Sequence, residues 1–274
     1  MITIRWLGAA GIELIAGDQA VLVDPYLSRP GKSKVAWGRL RSDPEAVRRY
    51  HQNLTQPIAA LVAGHTHFDH ALDIPALAAA AGDAPVIGSQ SLDTLLGQHG
   101  LPERVTVCRQ KKEIEVSENI RITMLPATHG RVALGRVPFP GEISPNWRPP
   151  LKSSQYRLGT MFMPEITLAG KSFIHAGSAG CLSPAITVSD CDVLFMCVPG
   201  WRRNPDYTGS MLTKLAPKMI IPFHFDDFTR PLRAAGKQPR LPFLNLTAFV
   251  KTIQRQAPQA EIRVLRPLEK VCLS

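Results

Sequence analysis

Residues 65–70 read His-Thr-His-Phe-Asp-His and follow directly on an apolar run, 58–63, that ends at Gly64. Three imidazoles and a carboxylate in six residues would be costly crowding at the end of a buried strand unless a shared partner held them. A metal ion supplies that partner. His65 and His67, two apart, project the same way from an extended backbone, and the turn into an Ala/Leu-rich helix expected over 74–81 brings Asp69 and His70 alongside. Neutral imidazole and carboxylate suit Zn²⁺, and also Fe or Mn. The hexapeptide therefore demands a strand, a turn and a helix in that order.

The rest of the chain repeats this grammar. A strand over 2–7 leads through a turn at Gly8 and Gly11 to a hairpin, 12–15 with 20–23, about Ala16-Gly17-Asp18, and ends at Asp24-Pro25. Residues 39–52 read as an exposed helix and loop. Further on, a helix near 91–98 precedes a strand pair, 105–108 with 114–116, and then a strand over 120–125 that runs into Pro126-Ala127-Thr128-His129-Gly130. The stretch 131–155 holds Pro138, Pro140, Pro145, Pro149 and Pro150 with two glycines, which predicts a long ordered loop. Strands over 161–168 and 172–174 lead to His175-Ala176-Gly177-Ser178-Ala179-Gly180. A strand over 193–198 ends at Pro199-Gly200, a helix covers 209–215, and 218–222 leads into Phe223-His224-Phe225-Asp226-Asp227. Strands that end repeatedly in polar clusters place those clusters together at one sheet edge.

The hexapeptide resembles the metal-binding motif of the metallo-β-lactamase fold superfamily, and the order of the other clusters agrees with it. Asp24 is similar to the family's first motif, an acidic residue that supports the metal loop from behind; His129 matches the third motif and His224 the last. The resemblance assigns His65, His67 and His129 to a first metal and Asp69, His70 and His224 to a second: one or two zinc ions, with Mn or Fe as alternatives. It implies an α/β fold, a four-layered αββα sandwich, forming a single domain over 1–274 with the Pro-rich loop, about 131–155, as an insertion. Trp6-Leu7-Gly8 with Gly11, and Pro222-Phe223-His224, look most like the branch containing ascorbate-phosphate lactonase and N-acylphosphatidylethanolamine-hydrolysing phospholipase D. One position departs from the family. Its fourth motif carries a bridging Asp where this chain has Ser178. A hydroxyl is a poorer bridge than a carboxylate, so the second site is expected to be weaker, filled through water, or empty; His175 and Cys181 are near enough in sequence to substitute. Asp69 is the candidate catalytic residue, a general base if one metal binds and a ligand if two do.

Charge bears on the substrate. The 274 residues carry 32 Lys+Arg against 22 Asp+Glu, a formal charge of +10. Arg131, Arg136, Arg148, Lys152, Arg157, Arg202 and Arg203 lie in the Pro-rich loop or after Pro199-Gly200, where the resemblance places the pocket rim, and together could bind an anionic group. Phe139, Trp147 and Trp201 offer an apolar rim. Solubility alone would also accommodate the charge, and the lack of an aromatic-interleaved basic stripe argues against nucleic acid. A 45% hydrophobic, 20% charged composition excludes disorder. No run approaches the ~18 apolar residues of a membrane span, the first residues lack the order of a cleavable signal, and five cysteines without a C-x-x-C pair suit a reducing cytosol. A soluble cytoplasmic protein is expected, its oligomeric state unknown.

Function is expected to be metal-dependent hydrolysis of a small ester, lactone or phosphodiester bearing negative charge. Two rivals stand beside it. Ala176-Gly177-Ser178-Ala179-Gly180 after a strand fits a relaxed nucleophile elbow, with Ser178 followed by Asp190 or Asp192 and His224 in the chain order of an α/β-hydrolase; that reading leaves the hexapeptide unexplained. The second is a non-enzymatic, metal-binding scaffold for RNA or a protein partner.

Overall fold

Alternation along the N-terminal strands decides the layering. In Ile2–Gly8, Gly11–Ala16 and Gln19–Val23, the residues Ile4, Trp6, Ile12, Leu14, Val21 and Val23 enter one large core, whereas Leu22 enters a second. A strand with period two can serve two cores only if both of its faces are covered. The computed structural model describes residues 1–204, 206–232, 238–242 and 244–273, and it holds two seven-stranded sheets and one two-stranded pair. In the first sheet the order is Lys270–Leu273, Ile2–Gly8, Gly11–Ala16, Gln19–Val23, Ile58–Val62, Val86–Gly88 and Val105–Val107. In the second it is Glu261–Ile262, Met219–Phe223, Val193–Cys197, Lys171–Ala176, Phe162–Leu168, Ile120–Pro126 and Lys112–Ser117.

The large core holds residues of both sheets, including Ile4, Val62, Met124 and Phe162, together with Tyr207, Met211, Phe249 and Ile253 from the helices Asp206–Leu215 and Leu246–Gln256. The smaller core joins the first sheet to the helices Ile74–Ala80 and Gln90–Gln98 through Leu61, Leu77, Leu92 and Leu95. This is the helix–sheet–sheet–helix sandwich expected. Cys108, Cys191 and Cys197 lie in it as buried free thiols, with Cys181 half-buried and Cys272 exposed.

Two details differ from the sequence reading. The strand pair expected over 105–108 and 114–116 does not form. Val105–Val107 runs parallel to Val86–Gly88 at the edge of the first sheet, and Lys112–Ser117 pairs antiparallel with Ile120–Pro126 at the edge of the second. The helix Gln90–Gln98 makes a strand–helix–strand crossover out of the first pair, and such a unit returns to its own sheet rather than folding onto the next strand. At the other edge, Lys270–Leu273 zips antiparallel onto Ile2–Gly8, joining the last strand to the first. The Pro-rich stretch is mostly irregular. It holds the short 3₁₀ turns Ala133–Gly135 and Ser153–Gln155, and Leu151–Lys152 pairs with Arg39–Leu40.

Direction positions the site. Gln19–Val23, Ile58–Val62 and Val86–Gly88 are parallel, as are Lys171–Ala176, Val193–Cys197 and Met219–Phe223. Ile120–Pro126 runs the same way as Lys171–Ala176, because one antiparallel strand separates them. The clusters at 65–70, 129 and 224, and Asp24, therefore leave their strands at carboxyl ends. Among the described residues no helix is long and apolar enough to cross a membrane.

Candidate metal centre

The loop after Ile58–Val62 is pinned before it turns. Thr66 donates its N–H to the Leu158 carbonyl at 3.1 Å and its hydroxyl to the Arg157 carbonyl at 2.5 Å. The one-turn helix Phe68–Ala71 then carries Asp69 and His70 inward, with both residues buried. Asp24 and His224 each end a strand in the left-handed region, at φ 46° and 63°. Non-glycine residues hold that conformation only where the surroundings over-determine it.

His65, His67 and His129 each offer a ligand atom, all within 4.8 Å of one another, and so do Asp69, His70 and His224. His65 Nε2 and His67 Nδ1 stand 3.1 Å apart, Asp69 Oδ2 lies 3.2 Å from His224 Nε2 and 4.0 Å from His70 Nε2. Three of the imidazoles are anchored through their other nitrogen. With the tautomers that satisfy these contacts, His67 donates Nε2–H to the Pro138 carbonyl at 2.9 Å, His129 donates Nδ1–H to the Gly130 carbonyl at 2.7 Å, and His70 donates Nδ1–H to Asp24 Oδ2 at 2.7 Å. Each then keeps one unprotonated nitrogen, the arrangement of a metal-ligating histidine. His65 Nδ1 and His224 Nδ1 are buried and have no hydrogen-bond partner among the described residues. A donor set of five imidazoles and a carboxylate fits a divalent transition metal.

Electrostatics supports neutral imidazoles. Burial, joined by repulsion from neighbouring histidines, lowers His65 and brings His67 down to about 3, while burial above all brings His129 down to about 4. Burial would raise the Asp69 carboxyl, but His70 and His224 outweigh it and hold Asp69 well below the usual carboxylate range. His70 goes the other way: burial opposes its charge, and Asp24 and Asp69 overcome it and raise it.

Asp24 is fully engaged from behind. Its Oδ1 accepts the Gly64 N–H at 2.8 Å while Oδ2 accepts from His70, and it also comes within ligand distance of His65 and His70. Ser178 is buried near His129, and its Oγ accepts the Gly130 N–H at 3.0 Å. Among the described residues neither His175 nor Cys181 joins a ligand-distance cluster. His175 donates Nε2–H to the Ala10 carbonyl at 2.7 Å, with Nδ1 3.8 Å from Asp24 Oδ2, and Cys181 Sγ lies 3.4 Å from Ser210 Oγ.

The serine-hydrolase constellation is not assembled. Asp192 accepts from Ser172 N–H and Lys218 Nζ, each at 2.9 Å, at the beginning of the parallel strands. Ser178 and His224 follow their ends. Five residues of strand separate the two edges by about 16 Å, and Asp190 precedes Asp192 on the far side. Chain order alone had suggested a triad that the parallel strands pull apart.

Arg131, Arg136, Arg148, Arg202 and Arg203 are exposed. Arg148 donates to the Pro145 and Trp147 carbonyls at 2.7 and 3.0 Å. Arg202 and Arg203 line a cavity of about 490 Å³ with Trp201, Leu241 and Asn245, and none of the six candidate ligands borders it. The two loops touch, since Arg131 N–H donates to Asn204 Oδ1 at 3.1 Å. Two contributions are missing from the sequence reading: the Pro138 carbonyl that orients His67, which carries no residue signature, and the buried pair Arg29–Asp226 behind His224. The consecutive aspartates after His224-Phe225 were the available clue to the second.

The chain is similar to several known proteins. A relative named a metal-dependent hydrolase, from Pyrobaculum islandicum, is 26% identical over 230 residues, covering 82% of this chain and 84% of its own length. A metal-dependent hydrolase from Thermus thermophilus is 22% identical over 86% of this chain and 89% of its own. One from Pyrobaculum neutrophilum, 28% identical, aligns over 46% of this chain and 50% of its own length. Among solved structures, Igni18, a metallo hydrolase from Ignicoccus hospitalis, superposes with a TM-score of 0.61 at 17% identity, covering 98% of this chain and 97% of that one. The diiron β-hydroxylase CmlA from Streptomyces venezuelae reaches 0.59 at 14% identity, over 99% of this chain and 54% of that one. These likenesses are of fold. A family model, the beta-lactamase superfamily domain, matches residues 19–225, from the strand before Asp24 to just past His224, and the chain belongs to that family.

Proposed function

We propose that this enzyme of the metallo-β-lactamase superfamily is a metal-dependent hydrolase in which His65, His67 and His129 hold one divalent ion and Asp69, His70 and His224 a second. The observation that carries the reading is the set of imidazoles whose outer nitrogens are spent on Pro138, Gly130 and Asp24, leaving unprotonated nitrogens in one buried cluster. Zinc suits these donors, and so do iron and manganese. When bound, such an ion polarises a scissile carbonyl or phosphoryl oxygen and brings the pKa of a coordinated water toward about 7.

The chain's own residues do the rest. Asp24 fixes the His70 ring and tautomer. Asp69 keeps its charge so firmly that it serves better as a ligand than as a proton acceptor near neutral pH. With Ser178 at the bridging position and its Oγ turned to Gly130, the second ion lacks a carboxylate bridge and binds more weakly than the first. Arg131, beside the His129 loop, and Arg136 and Arg148, in the loop that also holds Pro138, are the proposed contacts for an anionic ester, lactone or phosphodiester; Arg202 and Arg203 contribute through the adjoining loop. We read residues 1–274 as one domain, because the proposed ligands span His65 to His224, and its place as the cytoplasm.

Metal per chain, measured after purification without chelator, tests the centre. One to two ions are expected in the unmodified protein, markedly less in His67→Ala, and chelation should abolish hydrolysis. Equally low metal in both would sink the reading. Matched anionic and neutral esters, lactones and phosphodiesters test the substrate class; equal kcat/KM within pairs would remove the anionic preference. Salt-dependent RNA binding with no turnover on any of them would favour the scaffold reading.

A further inference from the structure

The segment after His224 carries two aspartates, Asp226 and Asp227, that the chemistry above does not use. Both side chains reach the segment that follows Asp24 in the other sheet. Asp226 forms a salt bridge with Arg29 in which the side chains are 0% and 1% exposed, and its Oδ1 accepts the Ala9 N–H at 2.9 Å. Arg29 also donates to the Asp227 carbonyl at 3.2 Å and the Arg230 carbonyl at 2.7 Å. Asp227 Oδ2 lies 3.3 Å from Lys32 Nζ, and Asp227 accepts from Thr229 at 2.6 Å within its own loop. Two acids on one loop thus meet two cations on the other.

The far end of the contact is equally anchored. Leu27 and Ser28, just before Arg29, donate their N–H groups to Asp73 Oδ2 at 2.6 and 2.8 Å. Asp73 follows His70 by three residues, and His70 itself is bound to Asp24. A continuous frame results: His70 to Asp24 and, along the chain, to Asp73, Asp73 to the 27–28 backbone, Arg29 to Asp226, and back along two residues to His224. The two ends of this frame, His70 and His224, are the residues that with Asp69 make one ligand-distance cluster. His224 holds φ 63° inside it, a conformation that a tether on either side of the residue helps to impose. Burying an ion pair this completely is a poor route to stability alone, because desolvation opposes the attraction.

We propose that Arg29 and Lys32, through Asp226 and Asp227, clasp the His224 loop of the second sheet to the Asp24 loop of the first, and so set the geometry of the second ion site. Arg29 and Asp226 are positioning residues. The proposal rests on the two-ion reading of the site.

Stepwise titration of chelator-treated full-length protein with Co²⁺, followed by visible absorption, tests it. In Arg29→Met/Asp226→Leu, which replaces the pair with apolar volume, the weaker dissociation constant is expected to rise about tenfold or more, with the tighter one nearly unchanged. Asp226→Asn, which keeps an acceptor for Ala9 N–H, should shift the same step in the same direction, and serves if the double variant does not fold. Lys32→Met, at an exposed lysine, should shift it less. Two steps both unchanged in a folded variant, or both weakened alike, overturn the clasp and leave the two-ion site standing. Uptake of a single ion by the unmodified protein, with His224→Ala neutral to it, overturns the two-ion reading and the clasp with it.

Discussion

Three histidines of the cluster, His67, His70 and His129, are held by what one ring nitrogen touches, and burial above all sets how they respond to protons. His67 and His129 titrate near 3 and 4 in the folded chain, against about 6.5 when unfolded. Their folded values are depressed, so the unfolded chain binds more protons between these limits and stability rises with pH there. The contribution is complete above about 6.5 and drains away as pH falls toward 4 and then 3. His70 is raised and opposes this, giving stability at low pH that is lost as pH climbs through its folded value. The unfolding free energy of metal-free protein, read from denaturant titrations, should therefore fall on acidification from pH 6.5 to 4.5, by no more than about 1.4 kcal/mol per pH unit for each depressed histidine. In His67→Phe the fall should be shallower; an unchanged slope would place the proton uptake elsewhere. At this scale the sequence was largely legible, because five imidazoles and two carboxylates sit at recognisable strand ends. The Pro138 carbonyl was not, since a backbone acceptor carries no residue signature.

Elements meet at the site with little room to spare. The 127–130 and 179–182 segments run so close that a Cβ on Gly180 would lie 1.7 Å from the Thr128 carbonyl oxygen, while Thr128 N–H donates to Cys181 O at 2.9 Å. The loop carrying His129 is braced on this contact and on Ser178 Oγ to Gly130 N–H. Gly180→Ala must push these backbones apart. It is expected to lose about 2–3 kcal/mol of stability and to weaken the first ion more than the second, which equilibrium unfolding and Co²⁺ titration would read together. A variant as stable as the parent would mean that the loops yield freely. Strand positions were mostly readable from periodicity, but partners were not. Residues 105–107 and 112–117 are neighbours in sequence and sit in different sheets, because the preceding helix returns the first to its own sheet. The α/β-hydrolase order of Ser178, Asp190 or Asp192, and His224 failed for a related reason: order along a chain says nothing of which end of a parallel strand a residue occupies.

Across the molecule, the proposed ligands come from both sheets: His65 to His70 from the first, His129 and His224 from the second. An ion that joins them binds only the state in which the sheets are stacked. Binding should therefore add stability as RT ln(1 + [M]/Kd), about 2.7 kcal/mol at a hundredfold excess over Kd. Zn²⁺ should raise one cooperative thermal transition rather than create a second, and Asp24→Asn should shrink the increment without changing the metal-free midpoint by as much. Two separate transitions would contradict the reading of residues 1–274 as a single domain. The +10 charge is legible only as a total. The exposed Arg131, Arg136 and Arg148 lie in the stretch 131–155, whose placement follows the strands it joins, whereas the exposed Arg48, Arg49 and Arg255 lie on helices.

Local chemistry was legible in the sequence alone: which side chains can hold a metal, and that they follow strands. These follow from residue type and short spacing, where the backbone leaves few choices. Only the tertiary structure decided which strand ends face one another, that Asp192 lies across the sheet from Ser178, and that Arg29 reaches Asp226. Those contacts span up to 197 residues, and their geometry is set by packing two sheets face to face, a collective outcome that no single stretch of chain encodes.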